Sequence, residues 1–128
     1  MAKQKSPKPT QAELGILQIL WEHGSCTVRT VHEKLCEKRK IGYTTALKLL
    51  QVMYEKGLVT RDEQAHAHIY KARVKEQQTQ KLILGDLLER LFDGSTTKLA
   101  IQALSMKKAT PEELTEIRRL LDKLEEEA

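Results

Sequence analysis

The chain has 128 residues, 22 Lys/Arg against 18 Asp/Glu, and a single Trp and Phe. That is enough for one domain or a small domain with an appendage, built on aliphatic rather than aromatic filling. No apolar run approaches the ~18 residues needed to span a bilayer, and the first nine residues lack the apolar core of a signal peptide.

The net charge of +4 is unevenly placed. Residues 1–73 hold 13 basic and 7 acidic groups, residues 74–128 hold 9 and 11. A basic half of this kind points to a polyanionic partner. Cys26 and Cys36 stand ten apart, with no CxxC and no secretory leader, so a reduced cytoplasmic setting is expected. Residues 1–9 read as a flexible basic arm, with Lys3, Lys5 and Lys8.

Thr10-Gln11-Ala12-Glu13 is a capping-box pattern that opens a first helix. Leu14, Leu17, Leu20 and Trp21 make one face, Ile16 and Ile19 widen it, and Gly24 ends it. Being apolar on more than one side, this helix should lie centrally in the basic half. Thr27 is a suitable N-cap for a second helix, with Val28, Val31, Leu35 and Cys36 inward and Arg29, Glu33, Lys34 and Glu37 outward. Lys38-Arg39-Lys40 is expected to close it, favourably for the helix dipole.

After a turn of about two to four residues, a third helix runs from Tyr43 toward Gly57. Ala46, Leu49, Leu50 and Met53 fall at offsets 0, 3, 4 and 7, which is one helical face. Gly42 permits the entry and Gly57 suits a left-handed C-cap. The opposite face carries Tyr43, Thr44, Leu47, Lys48 and Gln51, with Thr45 at its margin and no carboxylate before Glu55. Hydroxyls, an amide, one cation and an apolar side chain suit the major groove, whose floor offers acceptors, amines and thymine methyls. In that reading Lys48 addresses guanine and Gln51 adenine, Thr44 and Thr45 a phosphate or base edge, and an exposed Leu47 a thymine methyl.

Beyond Gly57 the period changes. Leu58–Glu63 and His68–Arg73 have strand character and flank Gln64-Ala65-His66-Ala67, which predicts a two-stranded hairpin. Helix-turn-helix followed by a hairpin is the winged variant. His66 and His68, taken as strand neighbours on one side, are placed near phosphate together with Lys71 and Arg29; no four Cys/His ligands fall at a recognised zinc spacing. Lys40 and Arg73 add to the non-specific, salt-sensitive part of affinity.

From Lys75 the chain reads as helical throughout. Leu82, Leu84, Leu87, Leu88, Leu91 and Phe92 line one helix, stopped by Asp93-Gly94-Ser95. Leu99, Ile101, Ala103 and Leu104 line a shorter one. Thr110-Pro111-Glu112-Glu113 opens the last, with Pro at N1 and a second capping box. Leu114, Ile117, Leu121 and Leu124 follow at three- and four-residue steps, a two-heptad seam. Some 50 residues in three short helices cannot close a generous core alone. A second copy is the simplest cover, so Leu84, Leu87, Leu88, Leu91 and the terminal seam are assigned to a homodimer contact.

The fold class is therefore mainly α with a small β-hairpin: a basic arm (1–9), a winged helix-turn-helix (10–74) and a three-helix C-terminal dimerisation domain (75–128). No nucleophile elbow, HExxH or P-loop is present, so neither an enzyme nor a cofactor is expected. The leading function is sequence-specific DNA binding. The competing readings are a winged-helix protein-interaction module and a regulator responding to metal or redox through Cys and His.

In this order the chain resembles the penicillinase-repressor family of winged-helix regulators, from about Thr10 to about Leu124. The segments that carry the resemblance are Leu17–Trp21 (LQILW), Tyr54–Val59 (YEKGLV), Tyr70–Val74 (YKARV) and the tail from Pro111 (PEELTEIRRLLDKL). The resemblance implies a transcriptional repressor, a homodimer on a palindromic operator in double-stranded DNA, read by the helix of Thr44, Thr45 and Lys48 with the wing on adjacent backbone. It also implies derepression through a membrane sensor with a metalloprotease domain. The family's Asn-Phe cleavage pair falls near Gln102-Ala103, a different dipeptide, and the closely spaced C-terminal cysteines of the copper-responsive branch are absent.

Overall fold

The computed structural model describes residues 8–63 and 66–128. Most of the basic arm, including Lys3 and Lys5, and the turn residues Gln64 and Ala65 lie outside the described residues. Six helices and three short strands follow in the order α1 (Gln11–His23), β1 (Cys26–Thr27), α2 (Val28–Cys36), α3 (Tyr43–Lys56), β2 (Val59–Asp62), β3 (Ile69–Ala72), α4 (Glu76–Phe92), α5 (Thr96–Met106) and α6 (Pro111–Glu127).

The chain divides into two units at Leu84–Gly85, inside α4. In the first, α1 packs against α2, α3 and β3, as its broad apolar surface requires. Ile16, Leu17, Val31, Leu50, Met53, Leu58 and Tyr70 are fully buried there. Both arms of the α1 capping box form: the Glu13 amide donates to Thr10 Oγ1 at 3.2 Å, and the Thr10 amide to Glu13 Oε1 at 2.9 Å. Trp21 Nε1 donates to the Val74 carbonyl at 2.9 Å, tying α1 to the end of the wing.

The expected hairpin forms from β2 and β3, and β1 joins it as a third antiparallel strand, giving the order β1-β3-β2. Cys26 and Thr27 pair with Tyr70 and Ile69, while Val59 to Asp62 pair with Ala72 to Ile69. A two-residue strand has no periodicity to betray it, and Thr27 serves both as its end and as the α2 N-cap. Pairing with β1 occupies the outer edge of β3, which a bare hairpin would leave open.

α2 stops at Cys36, capped by Glu37, so Lys38-Arg39-Lys40 belongs to the turn and not to the helix. The Lys38 and Arg39 amides both reach the Leu35 carbonyl at 3.1 Å, tightening the chain out of helical register. Cys36 is consequently exposed, not part of the inward stripe. α3 ends on Gly57 at φ 85°, and the Leu58 amide closes back on the Met53 carbonyl at 2.9 Å.

In the second unit α5 and α6 contain no buried residue. Thr110 and Glu113 form the second capping box, with Pro111 behind it. Leu91, Ile101, Leu121 and Leu124 are between 50% and 66% exposed. Among the described residues no helix is long and apolar enough to cross a membrane.

Candidate nucleic-acid interface

α3 is sharply two-sided. Ala46, Leu50 and Met53 are wholly buried, whereas Tyr43, Thr44, Thr45, Lys48 and Gln51 are all exposed. The buried stripe locks the helix axis into the core; what faces outward has no acid until the exposed Glu55. Gly42 provides no side-chain cap, so the first amides of α3 meet no hydroxyl of the preceding residue. An uncapped helix start with Thr44 and Thr45 beside it is a ready anion site.

Leu47 departs from expectation. It is half-buried and packs on the edge of the core. Its position lies between the buried stripe and the outer face, where it packs against the core cluster. It lines a cleft of about 920 Å³ with Thr27, Arg29, His32, Tyr43, His66 and His68. That cleft gathers residues from α2, α3 and the wing tip, five of them singled out in the sequence. Thr44, Thr45, Lys48, Gln51 and Lys71 lie outside it on open surface.

His66 and His68 are exposed but precede β3, so they belong to the wing loop rather than to a strand. The bend at 66–67 leaves only His68 next to the regular backbone, where its ring meets Tyr70 edge-on at 6.5 Å. Lys71 is exposed on β3 and Arg29 on the first turn of α2.

Two groups escaped the sequence reading. Tyr54 continues the outer face one turn beyond Gln51, and Arg61 of β2 stacks over its ring at 4.0 Å. Arg61 Nε donates to Glu63 Oε2 at 2.8 Å, and that contact holds the guanidinium's pKa above its ordinary value. The i, i+3 step from Gln51 to Tyr54 was legible; the strand that brings Arg61 over it was not. His32 also enters the cleft.

A metal or redox centre finds little material. Among the described residues no three His, Cys, Asp or Glu side chains gather at ligand distance. The Cys26 thiol is buried, donates to the Gly24 carbonyl at 3.3 Å, and is pushed up in pKa by that burial. Cys36 and His32 supply two donors at 3.4 Å, short of the four of a structural zinc site.

Winged helix-turn-helix topology with an outward helix face free of acids before Glu55 fits a regulator of the nucleic-acid-binding class. The penicillinase repressor family model matches residues 9–123, and the chain belongs to that family of transcriptional repressors. Over 119 residues it is 20% identical to the penicillinase repressor of Bacillus licheniformis, covering 93% of each chain. It is 28% identical over 114 residues to the transcriptional regulator BlaI of Mycobacterium tuberculosis, covering 88% of this chain and 82% of the relative. Among solved structures, the DNA-binding domain of the repressor BlaI superposes with a TM-score of 0.51 at 22% identity, over 58% of this chain and 90% of that one. The monomeric Bacillus licheniformis BlaI bound to the blaP half-operator gives 0.50 at 22% identity, over 57% and 89%.

Proposed function

We propose that this protein represses transcription as a homodimer on a two-fold symmetric operator, each protomer inserting α3 into the major groove and laying the wing on flanking phosphate. The observation that carries this reading is the two-sidedness of α3: a fully buried stripe behind an exposed face of Tyr43, Thr44, Thr45, Lys48 and Gln51. The relatives' names and the half-operator complex of a similarly folded protein support it.

Roles divide by chemistry. Lys48 and Gln51 read base edges, while Thr44, Thr45 and the free amides of α3 hold a phosphate. Arg29, His66, His68 and Lys71 border the groove and supply electrostatic attraction. The homodimer is supported by the exposed Leu84, Leu87, Leu91, Leu114, Leu121 and Leu124, with Leu88 and Ile117 half-buried between them. The sensor–protease pathway implied by the resemblance meets an obstacle at Gln102–Ala103. The pair lacks the family's Asn-Phe chemistry and lies inside α5, where a protease needs the helix unwound first.

The test is a binding titration with two lysine variants on the duplex footprinted upstream of the protein's own gene and on a scrambled duplex. Lys48→Ala lowers the preference for the footprinted duplex by about 1–3 kcal/mol. Lys71→Ala weakens both duplexes equally and reduces the salt slope by about one phosphate contact. Absence of binding to either duplex at low salt sinks the proposal and favours a protein partner.

A further inference from the structure

α1, α2, α5 and α6 each begin on a Thr or Ser whose hydroxyl accepts an amide of the first turn. α3 begins on Gly42 with no such cap. The helix that must be aimed most accurately therefore starts without a side-chain hydrogen bond to fix its first turn. Its packing against α1 and α2 through Ala46, Leu50 and Met53 fixes the distance between axes, but apolar contact is non-directional and tolerates small slides and rotations.

A side chain from α2 supplies the missing direction. His32 Nε2 lies 2.8 Å from the Ile41 carbonyl, in the turn just before Gly42. A carbonyl only accepts, so Nε2 carries the proton and donates. The same imidazole meets the Tyr43 ring edge-on at 5.6 Å with an interplanar angle of 78°. One ring thus grips the chain on both sides of the glycine at which α3 is born. Cys36, one helical turn along α2, places Sγ 3.4 Å from the same carbonyl and from Nε2, a longer and weaker second donor.

We infer that His32 is a positioning residue for sequence recognition: its hydrogen bond to the Ile41 carbonyl sets the start, and so the register, of the base-reading face of α3. This rests on the DNA-binding reading above. Its mechanism is geometric. Hydrogen bonds are directional where apolar packing is not, and Lys48 and Gln51 reach base edges only if the first turn of α3 starts in one place. The phosphate-facing Lys71 and Arg29 depend far less on that register, because electrostatic attraction to the backbone carries little positional demand.

The experiment compares the wild-type full chain with His32→Phe and His32→Gln. Phe keeps a ring against Tyr43 without a donor; Gln restores a donor without the ring. The probes are the best duplex that the wild-type chain selects from a random pool and a scrambled duplex of the same composition. Expected is a roughly tenfold fall in the selected-to-scrambled affinity ratio for His32→Phe, unchanged affinity and salt slope on scrambled DNA, and recovery of most of the ratio in His32→Gln. Amide exchange in residues 41–46 should quicken in the Phe variant while the wing stays as in the wild type. A wild-type ratio in His32→Phe, or equal weakening on both duplexes, overturns the inference and leaves DNA binding standing. Failure of the wild-type chain to select any duplex overturns the DNA-binding reading itself, and this inference with it.

Discussion

Glu13 is a buried carboxylate, and its surroundings explain how it stays charged. Burial pushes its pKa up, but Lys56 Nζ at 2.6 Å, the Thr10 amide and the Thr10 hydroxyl outweigh that and hold it below the ordinary 4.5. The pair joins the first turn of α1 to the last turn of α3, where a cation also suits the helix dipole. Because the folded value is depressed, the contribution of Glu13 to stability is complete above about pH 4.5 and is lost as pH falls through the folded value. Lys56→Met should cost about 2–3 kcal/mol at neutral pH, since it strands a buried acceptor whose partner was only partly exposed. The same variant should flatten the acid limb below about pH 4.5, read by urea unfolding at stepped pH. An acid limb as steep as the wild type's would show that the pair does not anchor α3.

At the scale of elements, α3 was the most legible part of the chain because its signals agree. The 0, 3, 4, 7 stripe, the permissive Gly42 and the left-handed Gly57 all describe one helix. Gly57 is there for its backbone: at φ 85° a side chain is strained, although an added Cβ would meet only Arg73 Nη1 at an ordinary 3.5 Å. Gly57→Ala should therefore destabilise by about 1 kcal/mol and Gly57→Asn by less, measured by chemical denaturation; equal stability of all three would mean that the cap is not selected by conformation. What stayed illegible had no period or depended on tertiary path. β1 is two residues long, and its strand character comes entirely from pairing with Tyr70 and Ile69. Leu47 reads as outward on a helical wheel, yet it packs partly buried against the core cluster at the edge of the stripe. His32 and Cys36 stand four apart on α2, a spacing that shares one helical face. Their acceptor, the Ile41 carbonyl, is set by a turn whose course no side-chain pattern announces.

At the scale of the whole molecule, the two halves divide labour much as their charges do. The basic half buries its own core; the other leaves a leucine seam on α6 and apolar side chains on α4 and α5 uncovered. If a second copy covers them, a carboxylate in the seam must be left without water on assembly. Leu121→Glu should shift sedimentation to the monomer at micromolar protein and weaken operator binding roughly a hundredfold, because the two half-sites no longer share one tethered reader. A variant that still sediments as a dimer would move the contact away from α6.

Helices that hide nothing of their own have a further effect on how such a protein behaves in a cell. If the proposed homodimer forms, the order of α5 and α6 is drawn partly from the partner copy and rises and falls with the number of copies present. Newly made or diluted chains, short of company, would expose the 85–128 segment to degradation, while abundant chains would shelter one another. On that reading abundance would act twice, on occupancy of the gene and on survival of the occupant, and shut-off would be steeper than one-to-one association allows.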